Sequence, residues 1–239
     1  MRKLFISFVI ILLAGNTSFA QKSIVNDANA ELRTINGSFN AIKISGGIDL
    51  YLSQYESESV AVSATSEKFK ENLKTVVENN VLNIYYDGGN TWSKGNKKLK
   101  VYVSFKTLER LEATGACDIQ VAGNITGSSL TIKMTGASDF KGAVKLDMLA
   151  IDLTGASDVK ISGTATTLSI ESTGASDVKG FELVTDVCTA KASGASDINV
   201  TVNKELNAHA SGASDIFYKG TAVMKEVHSS GASSVSKKG

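Results

Sequence analysis

The stretch Thr135-Gly136-Ala137-Ser138-Asp139-Phe140 decides the fold, because the chain repeats it. The tetrapeptide Gly-Ala-Ser-Asp starts at residues 136, 155, 174, 194 and 212. Variants start at residue 115 (Gly-Ala-Cys-Asp) and residue 231 (Gly-Ala-Ser-Ser), and successive copies lie 18 to 21 residues apart. A nearly fixed period over half of a chain is typical of stacked repeats, in which each unit buries its apolar face on its neighbours.

Two apolar columns appear when the copies are aligned on their glycine. The position four residues before glycine is apolar from Leu111 to Val227, and the position four after it is apolar from Ile119 to Val235. The position three before glycine is polar in every copy. These columns predict two short alternating strands per unit, joined by bends. We therefore predict an all-β fold, a single-stranded parallel β-helix (β-solenoid) with coils of about 19 residues.

The conserved spacing of small residues predicts a tight corner in each coil. Glycine accepts a positive φ without steric cost, and the alanine that follows leaves little room for a larger side chain. The serine two residues after glycine is predicted to face the core, with Cys117 in its place in the first copy. The chain has no proline, as expected when most backbone N–H groups join sheet ladders.

The first 20 residues have the three-part pattern of a secretory signal peptide. Arg2 and Lys3 precede an apolar run, and small residues precede a cleavage site after Ala20. We predict an exported protein that is periplasmic, on the outer surface or secreted. After signal removal no segment is apolar enough to span a membrane.

The rest of the chain is predicted to form one domain. Residues 21–38 are expected to be an extended lead-in, and residues 39–239 a single solenoid. Within the solenoid, residues 39–107 form irregular N-terminal coils and residues 108–239 carry the repeats. This boundary follows the start of the regular period near Leu108.

Local signals in the irregular part predict a short helix and a hairpin. Good helix formers follow a capping residue between Ser66 and Leu73. Two strand-like runs, 81–86 and 99–103, are separated by turn-forming residues over 87–98, which predicts that these two strands pair as a hairpin.

Charge and cysteine content exclude some classes of protein. Without the signal peptide the chain has 23 basic and 24 acidic side chains, so it lacks the basic excess of a nucleic-acid binder. Cys117 and Cys188 lie in different units. Stacking at about 4.8 Å per coil separates them beyond disulfide reach, so we predict two buried free thiols.

The corner motifs resemble a known family. Gly47-Ile48-Asp49, followed by tandem Gly-small-small-Asp repeats, is similar to the head GIN domain family of auto-transporter adhesins, exported bacterial proteins. The resemblance covers nearly the whole chain after the signal peptide. It implies a right-handed β-helix, a role in cell adhesion and no recognised catalytic set. Asp49 stands where the family name has asparagine.

The recurring aspartates are the most conspicuous candidate site. Neighbouring carboxylates about 4.8 Å apart repel by roughly 0.9 kcal/mol even in water, so something must offset the repulsion. Calcium is one hypothesis, with Asp139, Asp158, Asp177 and Asp197 as weak candidate ligands. We favour the alternative that each aspartate accepts a hydrogen bond from its own turn, with counter-charge supplied by Lys141, Lys160 and Lys179. These aspartates and lysines stand at fixed positions in the repeat: Asp118, Asp139, Asp158, Asp177, Asp197 and Asp215; Lys141, Lys160 and Lys179.

No other pattern predicts catalysis or a cofactor. His209 and His228 occupy equivalent positions in adjacent coils and are expected to stack on the surface, but two ligands are too few for zinc. The acids are part of the repeat, and no Gly-x-Ser-x-Gly elbow occurs. We therefore predict that the protein is not an enzyme.

Partner binding is predicted where the repeat lapses. Trp92, in a Gly/Asn/Lys loop, and the aromatic pair Phe217 and Tyr218 are the candidate contacts. The predicted function is cell adhesion or cell-envelope scaffolding by a non-catalytic solenoid, with an unidentified surface glycan or protein as partner and side-by-side association of copies as a further option. The alternatives are a carbohydrate-binding or carbohydrate-acting β-helix and a calcium-stabilised solenoid.

Overall fold

The structure is a computed structural model that describes residues 27–88 and 97–239. The predicted signal peptide and Trp92 lie outside the described residues. The N-terminal part contains β1 (Glu31–Arg33), β2 (Ala41–Gly46), β3 (Asp49–Gln54), β4 (Ser59–Ser63), α1 (Glu67–Asn72), β5 (Leu73–Glu78), β6 (Val81–Tyr86), β7 (Lys100–Phe105) and β8 (Arg110–Gly115). The repeats contain β9 (Asp118–Gly136), β10 (Asp139–Gly155), β11 (Asp158–Gly174), β12 (Asp177–Gly194), β13 (Asp197–Gly212), β14 (Asp215–Lys219), β15 (Val223–Gly231) and β16 (Ser234–Lys237).

The predicted β-solenoid is confirmed, with coils of about 19 residues that stack in about 7 turns. Strands β9 to β13 pair in parallel, each with the next. Where β10 meets β11, Asp139 pairs with Asp158, Leu149 with Leu168 and Gly155 with Gly174. The repeat therefore fixes the register, because each sequence column becomes a column in space.

Each full coil is one continuous strand with an internal bend. In β10 the buried side chains alternate up to Leu146, both Asp147 and Met148 are exposed, and alternation resumes at Leu149. This break turns the strand around the core and divides it into the two alternating segments expected from the sequence.

The corner glycines satisfy two requirements at once. Gly155 has φ +103°, a conformation that side-chain-bearing residues rarely adopt. A Cβ added there would lie 2.5 Å from the carbonyl oxygen of Gly136 in the preceding coil. That same oxygen accepts a hydrogen bond of 2.7 Å from the N–H of Ala156. Glycine thus permits both the sharp turn and the close approach of two backbones.

The serine after each corner faces the core, as predicted, and connects adjacent coils. Ser176 is fully buried, and its Oγ accepts a hydrogen bond from the N–H of Ser157 at 3.1 Å. The same hydroxyl donates to the carbonyl oxygen of Gly155 at 3.2 Å. Each hydroxyl satisfies backbone groups of the coil before it, so this buried column costs no unpaired polar atoms.

The two cysteines are buried free thiols, as predicted. Cys117 takes the serine position of the first repeat, and its Sγ lies 3.3 Å from the carbonyl oxygen of Gly46 as a hydrogen-bond donor. Cys188 stacks between Leu168 and Leu206 in an apolar column.

The predicted hairpin between residues 81–86 and 99–103 is wrong. Strand β6 instead pairs antiparallel with β5, through a turn in which Asn79 and Asn80 have φ of 49° and 62°. Strand β7 pairs in parallel with β3 and antiparallel with β4. Buried Leu82 and Val101 continue the core of the solenoid, which makes β6 and β7 successive parts of one coil rather than partners.

The first coil of the chain lies between coils that come later. Strand β2 pairs in parallel with both β6 and β8, and β3 pairs in parallel with both β7 and β9. The coil formed by β2 and β3 is therefore covered on one side by β6 and β7 and on the other by β8 and β9.

Antiparallel strands and a short helix close the N-terminal end. Strand β1, within the predicted lead-in, pairs with β4, and β5 covers the outer edge of β6. The predicted helical segment is confirmed as α1, whose N-cap Ser66 accepts a hydrogen bond from the N–H of Phe69. Over residues 27–88 and 97–239, no helix is both long and apolar enough to cross a bilayer.

Candidate interaction surface

The candidate surface, here called the Asp face, is the outer side of the strand segments that follow the corners. Residues two apart on a strand point to the same side, so each aspartate has one outward neighbour in its own coil. Two columns result from the parallel register. The aspartate column contains Asp49, Asp118, Asp139, Asp158, Asp177, Asp197 and Asp215, and the column beside it contains Tyr51, Gln120, Lys141, Lys160, Lys179, Asn199 and Phe217.

The aspartate column begins one coil earlier than the sequence repeat indicates. Asp49 pairs with Asp118, and Gly46 pairs with Gly115 at the same kind of corner. Gly46 and Gly115 both have φ +109°. The regular period does not reveal this copy, because a long insertion separates it from the next one, although Gly46-Gly47-Ile48-Asp49 has the Gly-small-x-Asp pattern.

Burial and mutual repulsion raise the pKa of two aspartates in the column. Desolvation, together with the neighbouring carboxylates of Asp118 and Asp158, raises the pKa of Asp139. Desolvation and the charge of Asp118 also raise the pKa of Asp49. The expected repulsion is therefore present and favours the neutral form of these two acids.

Lysine offsets this repulsion at one point. Lys179 Nζ lies 3.1 Å from Asp158 Oδ2 and 4.0 Å from Asp177 Oδ2, so one ammonium group bridges two coils. These contacts raise the pKa of Lys179, chiefly through the hydrogen bond with Asp158. Lys141 and Lys160 occupy the same column but form no ion pair with any described residue. Their ammonium groups are exposed and available to an external anion.

Three aspartates contact the next coil, whereas we expected each aspartate to accept a hydrogen bond from its own turn. The N–H of Asp197 donates to Asp177 Oδ1 at 3.4 Å, and Ser234 Oγ donates to Asp215 Oδ1 at 2.6 Å. The N–H of Asp158 likewise contacts the carboxylate of Asp139. The N–H groups of Asp158, Asp177 and Asp215 also donate to the carbonyl oxygen of a serine in the preceding coil.

The carboxylates do not converge on a metal-binding cage. Within the part of the chain that the structure describes, no three His, Cys, Asp or Glu side chains are grouped to hold an ion. Asp139, Asp158, Asp177 and Asp197 instead form a line along the solenoid, one per coil. Calcium takes six to eight oxygen ligands around one point, which this line does not supply.

Aromatic residues lie at both ends of the Asp face. The rings of Tyr51 and Tyr102 stack with centroids 5.0 Å apart. The hydroxyl of Tyr102 donates to Asp27 Oδ2 at 3.0 Å, and desolvation followed by this hydrogen bond raises the pKa of Tyr102. At the other end, the Nζ of Lys238 lies 4.0 Å from the ring centroid of Phe217.

The predicted contact residues Phe217 and Tyr218 lie in different environments. Phe217 lies on the Asp face and is half-buried. Tyr218 is buried, and its hydroxyl donates to Met224 Sδ at 3.1 Å, so its ring faces the core rather than a partner. The predicted stack of His209 and His228 is confirmed, with ring centroids 5.0 Å apart, but it lies on the strands before the corner.

A shallow polar cleft lies beyond β3. It has a volume of about 490 Å³ and is lined by Gln54, Tyr55, Glu56, Lys106 and Thr126. Gln54 is fixed there, because its Nε2 donates to the carbonyl oxygens of Lys106 and Thr126 while its Oε1 accepts from the N–H of Thr126 at 2.7 Å. Tyr55 is 47% exposed, so part of its side chain is accessible to solvent.

Solved structures share the fold at low sequence identity. A protein described as a "putative adhesin" from Bacteroides fragilis has a TM-score of 0.78 and 19% identity, over 87% of this chain and 96% of its own. A "putative adhesin" from Parabacteroides distasonis has a TM-score of 0.68 and 19% identity, with the same coverage of both chains. A "putative lipid binding protein" from the same species has a TM-score of 0.66 and 20% identity, over 89% of this chain and 98% of its own.

The family comparison is the more specific. No curated protein sequence matches the chain significantly. The family model described as "Putative auto-transporter adhesin, head GIN domain" matches residues 38–222, which include the corner at Gly46 and every full coil of the solenoid. The chain therefore belongs to this head GIN domain family.

Proposed function

We propose that this protein is a non-catalytic, exported adhesion protein that binds a surface glycan or protein through its Asp face. The observation that supports this most directly is the unbroken register of the face across successive coils. Family membership supports an adhesion-like role. The signal-peptide pattern of residues 1–20 supports export to the periplasm, the outer surface or the medium.

The chemistry of the face favours an extended, polar partner. Carboxylates and ammonium groups recur at about 4.8 Å along the solenoid, so a polymer lying along it would meet the same groups repeatedly. Each exposed contact is weak, roughly 0–1 kcal/mol, and affinity would come from their number. Binding is therefore expected to weaken with salt, since exposed charges are screened.

The same regularity argues against catalysis at this face. General acid–base chemistry on a sugar uses two carboxyl groups whose surroundings separate their pKa values. Here Asp139 and Asp49 shift in the same direction for the same causes, desolvation and a neighbouring carboxylate. These two carboxyl groups are therefore not separated into an acid and a base.

An array of glycans and matrix proteins tests the proposal. The wild-type protein is compared with a triple variant, Lys141→Ala with Lys160→Ala and Lys179→Ala, which removes the positive charges of the face. We expect about tenfold weaker binding of the triple variant, as three exposed pairs together contribute about 1.5 kcal/mol.

The matched control is Lys191→Ala, an exposed lysine on the strand segment before the corner, in register with His209. It is expected to bind like wild type. Failure of the wild-type protein to bind anything on the array would contradict the adhesion proposal. Equal binding by the triple variant would show that the partner docks elsewhere.

The cleft beside Tyr55 supports a second candidate, carbohydrate binding. An exposed aromatic residue beside the carboxylate of Glu56 and the ammonium group of Lys106 is suited to stacking on a sugar and hydrogen bonding to its hydroxyls. Tyr55→Ala is expected to abolish glycan binding at the cleft while leaving binding along the Asp face unchanged. The candidate would be excluded if the triple lysine variant lost glycan binding while Tyr55→Ala bound glycans as well as the wild-type protein.

A further inference from the structure

The two ends of the solenoid differ in how they close the core. At the N-terminal end, Val60 and Val62 of β4 are fully buried and Leu73 of β5 is 2% exposed. This is because antiparallel strands cover the coil formed by β6 and β7. At the other end, Met224 and Val227 of β15 are 38% and 40% exposed. Their partners one coil earlier, Leu206 and Ala208, are completely buried.

The outer edge of the last coil is unpaired among the described strands. Strand β15 pairs with β13, and β16 pairs with β14, in each case on the inner side. No strand within residues 27–88 and 97–239 pairs with their other side. An unpaired edge that also exposes the end of an apolar core favours strand addition.

We propose that two copies of this protein join end to end through this edge. A two-fold axis places β15 of one copy antiparallel to β15 of the other, so that their open cores meet. The inference is independent of the Asp face and its partner, because it concerns another part of the surface.

The side chains of β15 complement their own reversed copy. A bulge at Lys225, between Met224 and Glu226, changes the usual alternation. Met224 and Val227 face inward, as the contact of Met224 Sδ with the buried Tyr218 and the pairing of Val227 with buried Ala208 show. Lys225 and Glu226 face outward, where Lys225 Nζ lies 3.8 Å from Glu205 and Glu226 lies 3.3 Å from His228 Nε2.

Reversing the strand about the two-fold axis brings unlike charges together. Lys225 of each copy lies opposite Glu226 of the other, and Met224 lies opposite Val227. The ion pair and the apolar pair each occur twice, as an isologous interface requires. Opposite charges and apolar pairs across an antiparallel ladder are stabilising, whereas like charges there are destabilising.

The geometry favours a closed dimer over a fibre. Head-to-tail stacking would need the other end of the solenoid to accept the edge, but there the core is already closed by β4 and β5. A tail-to-tail pair uses the open edge of both copies and leaves none for further growth.

Sedimentation equilibrium over a range of protein concentrations tests the interface. The wild-type protein is expected to reach twice the monomer mass. Glu226→Lys places two lysines opposite each other at both symmetric positions and is expected to weaken the dimer about tenfold. Lys225→Glu is expected to do the same. The double exchange, Lys225→Glu with Glu226→Lys, is expected to restore the wild-type constant, because it reverses both pairs.

Two controls keep folding separate from association. Lys145→Glu, far from the edge, is expected to dimerise like wild type, and circular dichroism of dilute samples reports whether each variant folds. In the wild-type protein, amide hydrogen exchange of residues 223–231 is expected to slow as the concentration rises. The proposal would be overturned if the wild-type protein stayed monomeric at every concentration or if its mass grew past that of a dimer. It would also be overturned if the double exchange failed to restore the wild-type dimerisation constant.

Discussion

Gly155 lies so close to Gly136 in the preceding coil that a Cβ on the former would come within 2.5 Å of the carbonyl oxygen of the latter. The corner column is therefore the least tolerant part of the repeat. Its positive φ and its backbone contact impose separate penalties on any side chain.

Gly155→Ala is expected to destabilise the protein by about 2–4 kcal/mol, through backbone strain and the displacement of one coil from the next. Urea unfolding followed by circular dichroism measures the loss. The matched control is Gly127→Ala, where an added Cβ meets only Leu146 Cδ2 at an ordinary 3.9 Å. Equal stability of both variants would show that the corners can widen freely.

Ser176→Ala is expected to cost about 1–3 kcal/mol, because the buried N–H of Ser157 loses its acceptor and the carbonyl oxygen of Gly155 loses a donor. Ser176→Cys is expected to cost less, since Cys117 fills the equivalent position in the first repeat. Urea unfolding compares both with Ser169→Ala, at an exposed serine. A loss in Ser176→Ala no larger than in Ser169→Ala would contradict the role of the hydroxyl column.

Asp139→Asn is expected to raise the melting temperature at neutral pH. The pKa of Asp139 is higher in the folded protein than its unfolded value of 3.8, so the folded state binds the proton more tightly. The carboxyl group therefore lowers the free energy of unfolding as pH rises above 3.8 toward the higher pKa of the folded state. Below pH 3.8 this destabilisation is absent. The gain from Asp139→Asn should shrink as pH falls. Asp147→Asn, outside the column, serves as the control, and a gain that grows in acid would contradict the sign.

The two thiols are expected to resist alkylation in the native protein. Burial raises the pKa of Cys188 to about 12, and it also raises that of Cys117. Both sulfurs are fully buried, so a thiol reagent should react only after denaturation. Ser169→Cys provides an exposed thiol that should react at once in the native state. Rapid labelling of wild type under native conditions would show that the coils open readily.

Local chemistry made the repeats predictable from sequence. The glycine at each corner, the inward serine and the two apolar columns each follow from the properties of one residue type at one position. The column of Asp139 and Asp158 and the stack of His209 and His228 follow directly, because equal spacing becomes parallel register.

The irregular end was less predictable because pairing there depends on distant partners. In the sequence, the turn at Asn79 and Asn80 is as strong a hairpin signal as the loop after Tyr86. Strand β6 forms its hairpin at Asn79 and Asn80 because its other edge pairs with β2. Asp49 belongs to the column through contacts with a residue of a much later segment. The acceptor role of Asp177 toward the next coil likewise depends on stacking rather than on its own turn.

The position of the coil formed by β2 and β3 also sets an order of assembly. Where strands β9 to β13 pair with one another, partner residues lie 17 to 21 positions apart, so each strand closes a short loop as it docks. Asp49 must instead find Asp118, at the cost of a much longer loop, and such pairings form slowly. We therefore expect folding to nucleate in the repeats and to close the N-terminal end last. A chain emerging from a membrane amino-terminus first would hold its earliest segment unfolded until the repeats had followed it.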